Sequence, residues 1–211
     1  MTSKNTLQKS VVIFLISAIS LGSVEVLFGN RLTGLSIDIL NVFVTKLNLN
    51  TSANVESQVV ILGIDEETYQ RDPFKAIPRV MWTPQIAEVM QALDDSNVAL
   101  IGLDVIFPTS VRQFIPGYER ENLKTLRRLA SEKKIVLGKV QHREKLISPE
   151  AAQSYAVGHS ENVKALNFQE DGDAVIRRIP RKFTKSKKHT GPVFEASFAA
   201  EISKRLMGLR N

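Results

Sequence analysis

The sequence predicts an α/β protein with a mostly parallel central sheet, flanking helices and a C-terminal antiparallel hairpin, preceded by an N-terminal membrane-anchor helix. Three observations lead to this prediction. Short continuous apolar runs alternate with amphipathic helical segments, which is typical of βαβ units whose sheet is buried on both faces. An acidic turn separates two strand-like runs near the C-terminus, and a long apolar run follows two lysines near the N-terminus.

The composition allows one α/β domain with appendages. Of the 211 residues, 43% are hydrophobic and 24% are charged, which is enough to bury a core. The chain has no cysteine, so disulfide bonds, thiolate metal sites and cysteine nucleophiles are excluded. Cysteine usage leaves the compartment open.

The apolar segment at 11–28 contains a single charged residue, Glu25. A comfortable membrane span needs about 20 apolar residues and a cleaved signal core about 7 to 15, and the uncharged stretch before Glu25 falls between these lengths. We expect residues 1–29 to form a cytoplasmic tip and an uncleaved signal anchor, with residues 30–211 outside the cytoplasmic membrane. The alternative is a buried amphipathic helix of a soluble protein.

The formal net charge of +6 comes from one stretch between Ala174 and Phe194, where seven basic residues and no acidic residue lie. We interpret this stretch first as a solvated hairpin or loop, second as a patch for acidic lipid headgroups, and third as a nucleic-acid-binding arm. Nucleic acid is therefore not an expected partner. The seven residues are Arg177, Arg178, Arg181, Lys182, Lys185, Lys187 and Lys188.

The elements of the N-terminal half follow from local patterns. Helical spacing of apolar residues predicts a first helix over 30–49, and a polar, turn-rich linker follows at 50–58. The apolar run at 59–64 predicts the first strand. A second helix over 84–96 is predicted by its apolar face, with Thr83 as N-cap and a proline at the first helical position.

The remaining elements continue the alternation and then change type. A strand at 98–103, a helix at about 118–133 and a strand at 134–140 are predicted in that order. Residues 163–183 then predict strand, acidic turn and strand, hence an antiparallel hairpin. A last helix over 193–207 should pack on the sheet.

Two of the predicted strands end in the pattern Gly-x-Asp, which places Asp65 and Asp104 directly after them. In an open α/β sheet the carboxyl ends of parallel strands form the rim where ligands bind. If the two strands are neighbours, the carboxylates come within range for metal bridging or acid–base chemistry. The alternative, which we favour for either residue alone, is that each aspartate caps the following turn.

The loop after the first strand adds Arg79, an anion-binding guanidinium, and Trp82, a stacking face. For Trp82 we favour the alternative of a lid packed over the sheet edge. The acidic turn at 170–173 lacks the ligand spacing of an EF-hand loop, and the sequence has no nucleotide-binding, serine-hydrolase or zinc-protease motif. We therefore predict no catalytic residue, no metal site and no cofactor.

Five segments, taken in order, resemble the second type of CHASE domain, the cyclase and histidine-kinase associated sensory extracellular family. The resemblance covers residues 35–205, and it is the order of the five segments behind an N-terminal apolar helix that makes it specific. The segments are “VVILGIDEETY”, “FKAIPRVMWTPQIAEVMQALDDSNVALIGLDVIF”, “KKIVLGKV”, “VGHSENVKALNFQEDGDAVIRRIP” and “PVFEASFAAEIS”.

The resemblance implies an extracytoplasmic sensor of a bacterial receptor, non-catalytic itself, with a cytoplasmic kinase or cyclase output module in the full receptor. In such receptors further membrane helices usually follow the sensor. Together with the N-terminal anchor expected above, this places the chain in the inner membrane, single-pass in this chain, with the sensory domain in the periplasm. The resemblance also implies a homodimer that binds an unknown small ligand. The family pattern ends in an Asp-Gly-x-x-Arg-Arg turn, which “DGDAVIRR” matches at Arg177 with one or two residues of slippage, and the family's proline–tryptophan loop here has arginine ahead of tryptophan.

The predicted function is therefore an extracytoplasmic sensory domain, and two alternatives stay open beside it. One is a metal-dependent extracytoplasmic hydrolase that uses Asp65 and Asp104. The other is a scaffold that docks on a membrane surface through the basic stretch. The candidate ligand-binding residues are Asp65, Arg79, Trp82, Asp104 and Arg177.

Overall fold

The structure, a computed structural model, describes residues 37–40, 42, 46, 59–142, 145–171, 174–188 and 191–208. The chain forms two compact units. The first contains the described residues within Met1–Val60 together with Gln169–Arg178, and the second contains those within Ile61–Phe168 and Ile179–Asn211. The predicted anchor at 1–29 and the linker at 50–58 lie outside the described residues. Within the described chain, no helix has the length and apolar character needed to cross a membrane.

The helices and strands of the second unit follow in chain order. They are α1 (Glu66–Tyr69), a 3-10 turn (Arg79–Met81), α2 (Thr83–Asp95), β1 (Ile101–Leu103), α3 (Arg120–Ser131), β2 (Ile135–His142), β3 (Lys145–Ile147), α4 (Ala151–Ala156), a 3-10 turn (His159–Glu161), β4 (Val163–Ala165), β5 (Lys182–Lys188), β6 (Gly191–Ala196) and α5 (Phe198–Gly208). In the first unit, residues 37–40, 42 and 46 have helical backbone, as the predicted helix over 30–49 requires.

The described strands of the second unit form a four-stranded sheet and a separate two-stranded hairpin. In the sheet, β1 and β4 both pair with β2 in parallel, with Ile101 opposite Ile135 and Leu137 opposite Val163. The short strand β3 pairs with the end of β2 in the antiparallel sense. The mixed α/β class with a parallel sheet and an antiparallel hairpin is therefore confirmed.

The sheet of the second unit has helices on both faces. One face contributes Ile101, Ile135 and Leu137 to a buried core with residues of α2 and α3. The other face contacts α5, because a Cβ placed on Gly102 would lie 2.7 Å from Ile202 Cδ1 and 3.0 Å from Phe198 Cζ. Successive strand residues point to opposite faces, so β1 separates the two helical layers. The core residues from α2 and α3 are Ile86, Met90, Leu126 and Leu129.

Local sequence determines both long helices on the first face. The helix α2 has a proline in its first turn and ends before Asn97, whose φ of 58° is the left-handed conformation common after a helix. The helix α3 ends in the same way before Lys133, with φ of 60°. The predicted helices over 84–96 and 118–133 are confirmed, except that Trp82 rather than Thr83 occupies the N-cap position of α2.

The predicted strand at 59–64 is wrong. These residues form no strand, and the large apolar side chains are exposed, with Val60 at 80% and Ile61 at 87%. In the described chain β1 pairs with β2 alone, so no strand pairs with the other edge of β1. An apolar run has the composition of a strand, but pairing depends on a distant partner that the run does not specify.

The predicted hairpin over 163–183 is also wrong in its position. Its first part, β4, belongs to the parallel sheet, and among the described residues the bridge that joins its two arms is an isolated antiparallel one between Gln169 and Arg178. The antiparallel hairpin is β5–β6, which lies in the basic stretch and agrees with our first interpretation of that stretch. The last helix consequently begins at Phe198 instead of residue 193, because the residues before it pair with β5.

Candidate functional site

A cavity of about 550 Å³ lies in the second unit where the chain leaves β1. The start of α1, the 3-10 turn before α2 and the residues that follow β1 form its wall. Four of the five predicted site residues line it, namely Asp65, Arg79, Trp82 and Asp104. The structure therefore brings these four together, and their binding of a ligand stays a prediction.

Asp65 occupies the N-cap position of α1. Its Oδ1 accepts hydrogen bonds from the backbone N–H of Thr68 at 2.8 Å and from the Thr68 hydroxyl at 2.7 Å. These bonds favour the ionised form and hold the pKa of Asp65 below its ordinary value. The capping alternative is thus what the structure shows for Asp65, and the capping places the carboxylate at the cavity wall.

Asp104 follows β1 directly, as the sequence predicts. Its carboxylate has no hydrogen bond or ion pair with the described residues, in contrast to that of Asp65. Partial burial without a compensating partner raises the pKa of Asp104 above its ordinary value. A carboxylate in this condition gains most from a cationic or hydrogen-bond-donating partner supplied from outside.

Arg79 presents the positive charge of the cavity. Its guanidinium carbon lies 5.8 Å from the ring centroid of Tyr69 and 6.0 Å from that of Trp82, which is within the range of cation–π attraction. Among the described residues, no carboxylate pairs with it. The rings therefore hold the guanidinium in place while its N–H donors stay available.

Trp82 is a core residue that also lines the cavity. It is only 4% exposed, and its ring packs edge-on against Phe74 with 4.9 Å between centroids. Its indole Nε1–H donates to the carbonyl oxygen of Ile77 at 2.9 Å. These contacts bury Trp82 and fix the loop that bears Arg79.

Sequence reasoning missed the residues that complete and support the wall. Tyr69 lines the cavity one helical turn after Asp65, a spacing that could have revealed it had α1 been recognised. The loop after β1 is held by the fully buried Glu119, which accepts hydrogen bonds from the Ser110 hydroxyl at 2.9 Å and the Val111 N–H at 3.1 Å. The sequence around Glu119 gives no sign of its burial, because an exposed glutamate at the start of a helix would have the same kind of neighbours.

Arg177, the fifth predicted site residue, lies in the first unit. Its guanidinium donates to both carboxylate oxygens of Asp38, at 2.9 and 2.7 Å, and to Asp171 at 3.3 Å. Hydrogen bonds from Arg178 and then from Arg177 hold the pKa of Asp171 below its ordinary value. These contacts give Arg177 a structural task within its unit, and a ligand-binding role for it stays a prediction.

The metal-ligating potential of the described residues is low. No group of three or more histidines, aspartates or glutamates in this part of the chain could hold a metal ion. The charged residues at the cavity are instead two aspartates with different environments, Glu66 and one arginine. Such a set is suited to binding polar organic groups by hydrogen bonds and ion pairs.

The parallel sheet and the cavity beyond one of its strands define an α/β domain of the kind in which small molecules occupy the rim of the sheet. The family model of the CHASE2 domain matches residues 11–209. The chain therefore belongs to the CHASE2 domain family, a family of extracellular sensory domains, as the resemblance implied. Neither a curated protein nor a solved structure matches the chain.

Proposed function

We propose that the chain is the extracytoplasmic sensory domain of a membrane-anchored bacterial signal-transduction receptor and that it does not itself catalyse a reaction. Residues 1–29 form the cytoplasmic tip and the single-pass anchor in the inner membrane, and residues 30–211 form the sensory domain in the periplasm. The family match supports the sensory role, and the basic start of the apolar segment supports the orientation.

The observation on which the proposal depends is the cavity with uncompensated charges. Asp104 and Arg79 line one cavity, and neither has an ion-pair partner in the described chain. Arg79 is exposed, whereas the carboxyl group of Asp104 is partly desolvated, and an unpaired charge in that condition reduces stability unless a ligand compensates it. This loss of stability serves a sensory protein, because a small polar ligand that compensates the charges is then bound more tightly.

Signalling requires that the ligand bind one arrangement of the domain more tightly than another. The N-terminal stretch of the first unit ends at Val60, and the chain reaches the cavity residue Asp65 five positions later. In our proposal, occupation of the cavity changes the position of the predicted helix over 30–49, and the anchor transmits the change to a kinase or cyclase output module. The receptor acts as a homodimer.

Ligand binding is tested by a thermal-shift screen of the full chain against small polar metabolites. We expect at least one compound to raise the melting temperature, because a ligand that binds only the folded state stabilises it. The increase should disappear in Asp104→Asn and persist in Asp95→Asn, an exposed aspartate at the end of α2. Compounds that stabilise both variants equally, or a metal-dependent hydrolysis abolished by Asp104→Asn, would contradict the proposal.

The orientation is tested separately with reporter fusions. Alkaline phosphatase fused after residue 211 should be active in bacterial cells, because that enzyme requires the periplasm, and a fluorescent cytoplasmic reporter in the same position should be dark. Replacing the lysines before the apolar segment with glutamate should weaken this orientation. An active cytoplasmic reporter at the C-terminus of the unchanged chain would refute a periplasmic sensory domain.

A further inference from the structure

Four charged residues line the cavity, namely Asp65, Glu66, Asp104 and Arg79, and of these the carboxylate of Asp104 and the guanidinium of Arg79 have no ion-pair partner among the described residues. Arg79 and Asp104 both line it, yet no nitrogen of Arg79 lies within 4.0 Å of a carboxylate oxygen in the described chain. The guanidinium of Arg79 lies near the rings of Tyr69 and Trp82, and neither Arg79 nor Asp104 makes a side-chain hydrogen bond to a described residue. The wall is therefore equipped to receive one negative and one positive group at separate places.

The chemistry of each wall residue specifies one group of the ligand. A guanidinium offers parallel N–H donors that match the two oxygens of a carboxylate. A free carboxylate that is partly removed from water pairs best with an ammonium group, which has three donors and a full charge. A ligand with one group alone would leave the other wall charge uncompensated.

We infer that the cavity binds a small zwitterion that carries one carboxylate and one ammonium group, with the carboxylate on Arg79 and the ammonium on Asp104. This rests on the proposed function, since it takes the cavity as the sensory site. The volume of about 550 Å³ is ample for an amino acid, because small-molecule sites span roughly 300 to 1,000 Å³. The ring of Tyr69 supplies apolar surface for the carbon chain between the two charges.

The chain contains its own reporter for this test, because Trp82 is the only tryptophan and lines the cavity. The full chain is titrated with glycine, β-alanine, γ-aminobutyrate and L-leucine, and the fluorescence of Trp82 is followed. Butyrate and butylamine serve as matched probes, since each has the carbon chain of γ-aminobutyrate and only one of its charges. We expect saturable binding of at least one zwitterion, and at least about tenfold weaker binding of both single-charge probes.

The two wall residues should respond to different halves of the ligand. Arg79→Gln should weaken binding of the zwitterion by about tenfold to a hundredfold and leave butylamine unaffected. Asp104→Asn should weaken binding of the zwitterion to a similar extent and leave butyrate unaffected. The matched controls are Arg127→Gln and Asp95→Asn, which remove the same charges from exposed positions on α3 and α2 and should change nothing.

The inference is overturned if no zwitterion binds, if butylamine binds as tightly as γ-aminobutyrate, or if Arg79→Gln leaves the affinity unchanged. Should Asp104→Asn fail to fold, the Arg79→Gln comparison decides alone, since Arg79 is an exposed residue of a 3-10 turn. If no zwitterion binds but another compound in the metabolite screen stabilises the chain in a manner that requires Asp104, the sensory function stands and only the ligand class is refuted. If neither the titration nor the metabolite screen finds a ligand, both the ligand class and the sensory function are refuted.

Discussion

Asp104 is the residue at which binding and stability oppose each other. Its partial burial raises the pKa above the ordinary value of 3.8, so the ionised form destabilises the folded chain at neutral pH. Since the neutral form has no such cost, the effect is absent below the unfolded-state pKa and grows as the pH rises through the folded-state pKa. Asp104 thus contributes a small, pH-dependent instability to the folded chain.

We therefore predict that Asp104→Asn raises the melting temperature of the full chain at about pH 7 and that the increase vanishes below about pH 3.8. Thermal unfolding followed by circular dichroism at several pH values measures this. Asp95→Asn, which alters an exposed aspartate, should give melting temperatures close to the unchanged chain throughout. A decrease at neutral pH would mean that Asp104 has a stabilising partner.

Asp94 differs from Asp104 in that its ionised carboxylate stabilises the folded chain. Its carboxylate accepts a hydrogen bond from Lys134 at 2.9 Å and a further one from Arg128, which together link α2, α3 and the residue before β2. Hydrogen bonds from Lys134 first, and from Arg128 second, hold its pKa below 3.8. The folded-state pKa is depressed, so the stabilisation is present above the unfolded-state pKa and is lost as the pH falls through the folded-state pKa.

Asp94→Asn should accordingly lower the melting temperature at about pH 7, and the difference from the unchanged chain should close below about pH 3.8. The same pH series of thermal unfolding experiments measures it. At neutral pH Asp104→Asn should therefore raise the melting temperature, whereas Asp94→Asn should lower it. Equal signs for the two variants at neutral pH would contradict the assignment of partners.

Among the elements, β2 is the strand that organises the second unit, because it pairs with β1, β3 and β4. Its Gly138 allows Leu166, which follows β4, to pack directly on the strand. A Cβ on Gly138 would lie 2.2 Å from Leu166 Cδ1 and 2.8 Å from Leu166 Cγ, much closer than real contacts. The strand can have no side chain at this place unless Leu166 moves.

Gly138→Ala should lower the free energy of unfolding by about 1 to 3 kcal/mol, the range for overpacking a filled site. In the double variant Gly138→Ala/Leu166→Ala the loss should be smaller than the sum of the two single losses, because the shortened side chain makes room. Urea unfolding of the four proteins measures the coupling. Gly63→Ala is the control, since nothing lies within 4 Å of its added Cβ.

The segment at 60–64 presents exposed apolar side chains and belongs to no strand of the described chain. Exposed apolar segments promote pairing between molecules. We predict that Ile61→Lys reduces concentration-dependent self-association of the full chain, measured by sedimentation velocity, with little change in melting temperature. Val89→Lys, on the exposed part of α2, is the matched control and should leave self-association as it was.

Viewed as a whole, the described residues of the second unit form a hydrophobic core that includes Trp82 beside the cavity and Leu129 in α3. We predict that Leu129→Ala lowers the free energy of unfolding by about 2 to 5 kcal/mol, since the side chain is fully buried. The fluorescence of Trp82 and the far-ultraviolet circular dichroism should lose their native signals at the same lower urea concentration. Separate urea midpoints for the two signals would show two cores. The control is Leu146→Ala, at a largely exposed position, which should change the free energy of unfolding little.

The sequence predicted the parts of this molecule that depend on neighbouring residues. The helices α2 and α3 follow from apolar spacing and end signals, and the location of Asp104 follows from the end of β1. Strand pairing depends on residues far apart in the chain, so the segment at 59–64 and the hairpin arms were misassigned. Asp65 and Asp104 were expected at one rim for a partly wrong reason, because Asp65 follows no strand and lines the cavity from a helix N-cap.

The division of the first unit between two distant stretches of chain has a consequence for biosynthesis. Asp38 and Arg177, which pair within that unit, are 139 positions apart. At roughly 5 to 20 residues per second, the ribosome delivers the arginine on the order of ten seconds after the aspartate. During that interval the nascent N-terminal stretch must persist without its complement, while the intervening residues have time to acquire their own structure.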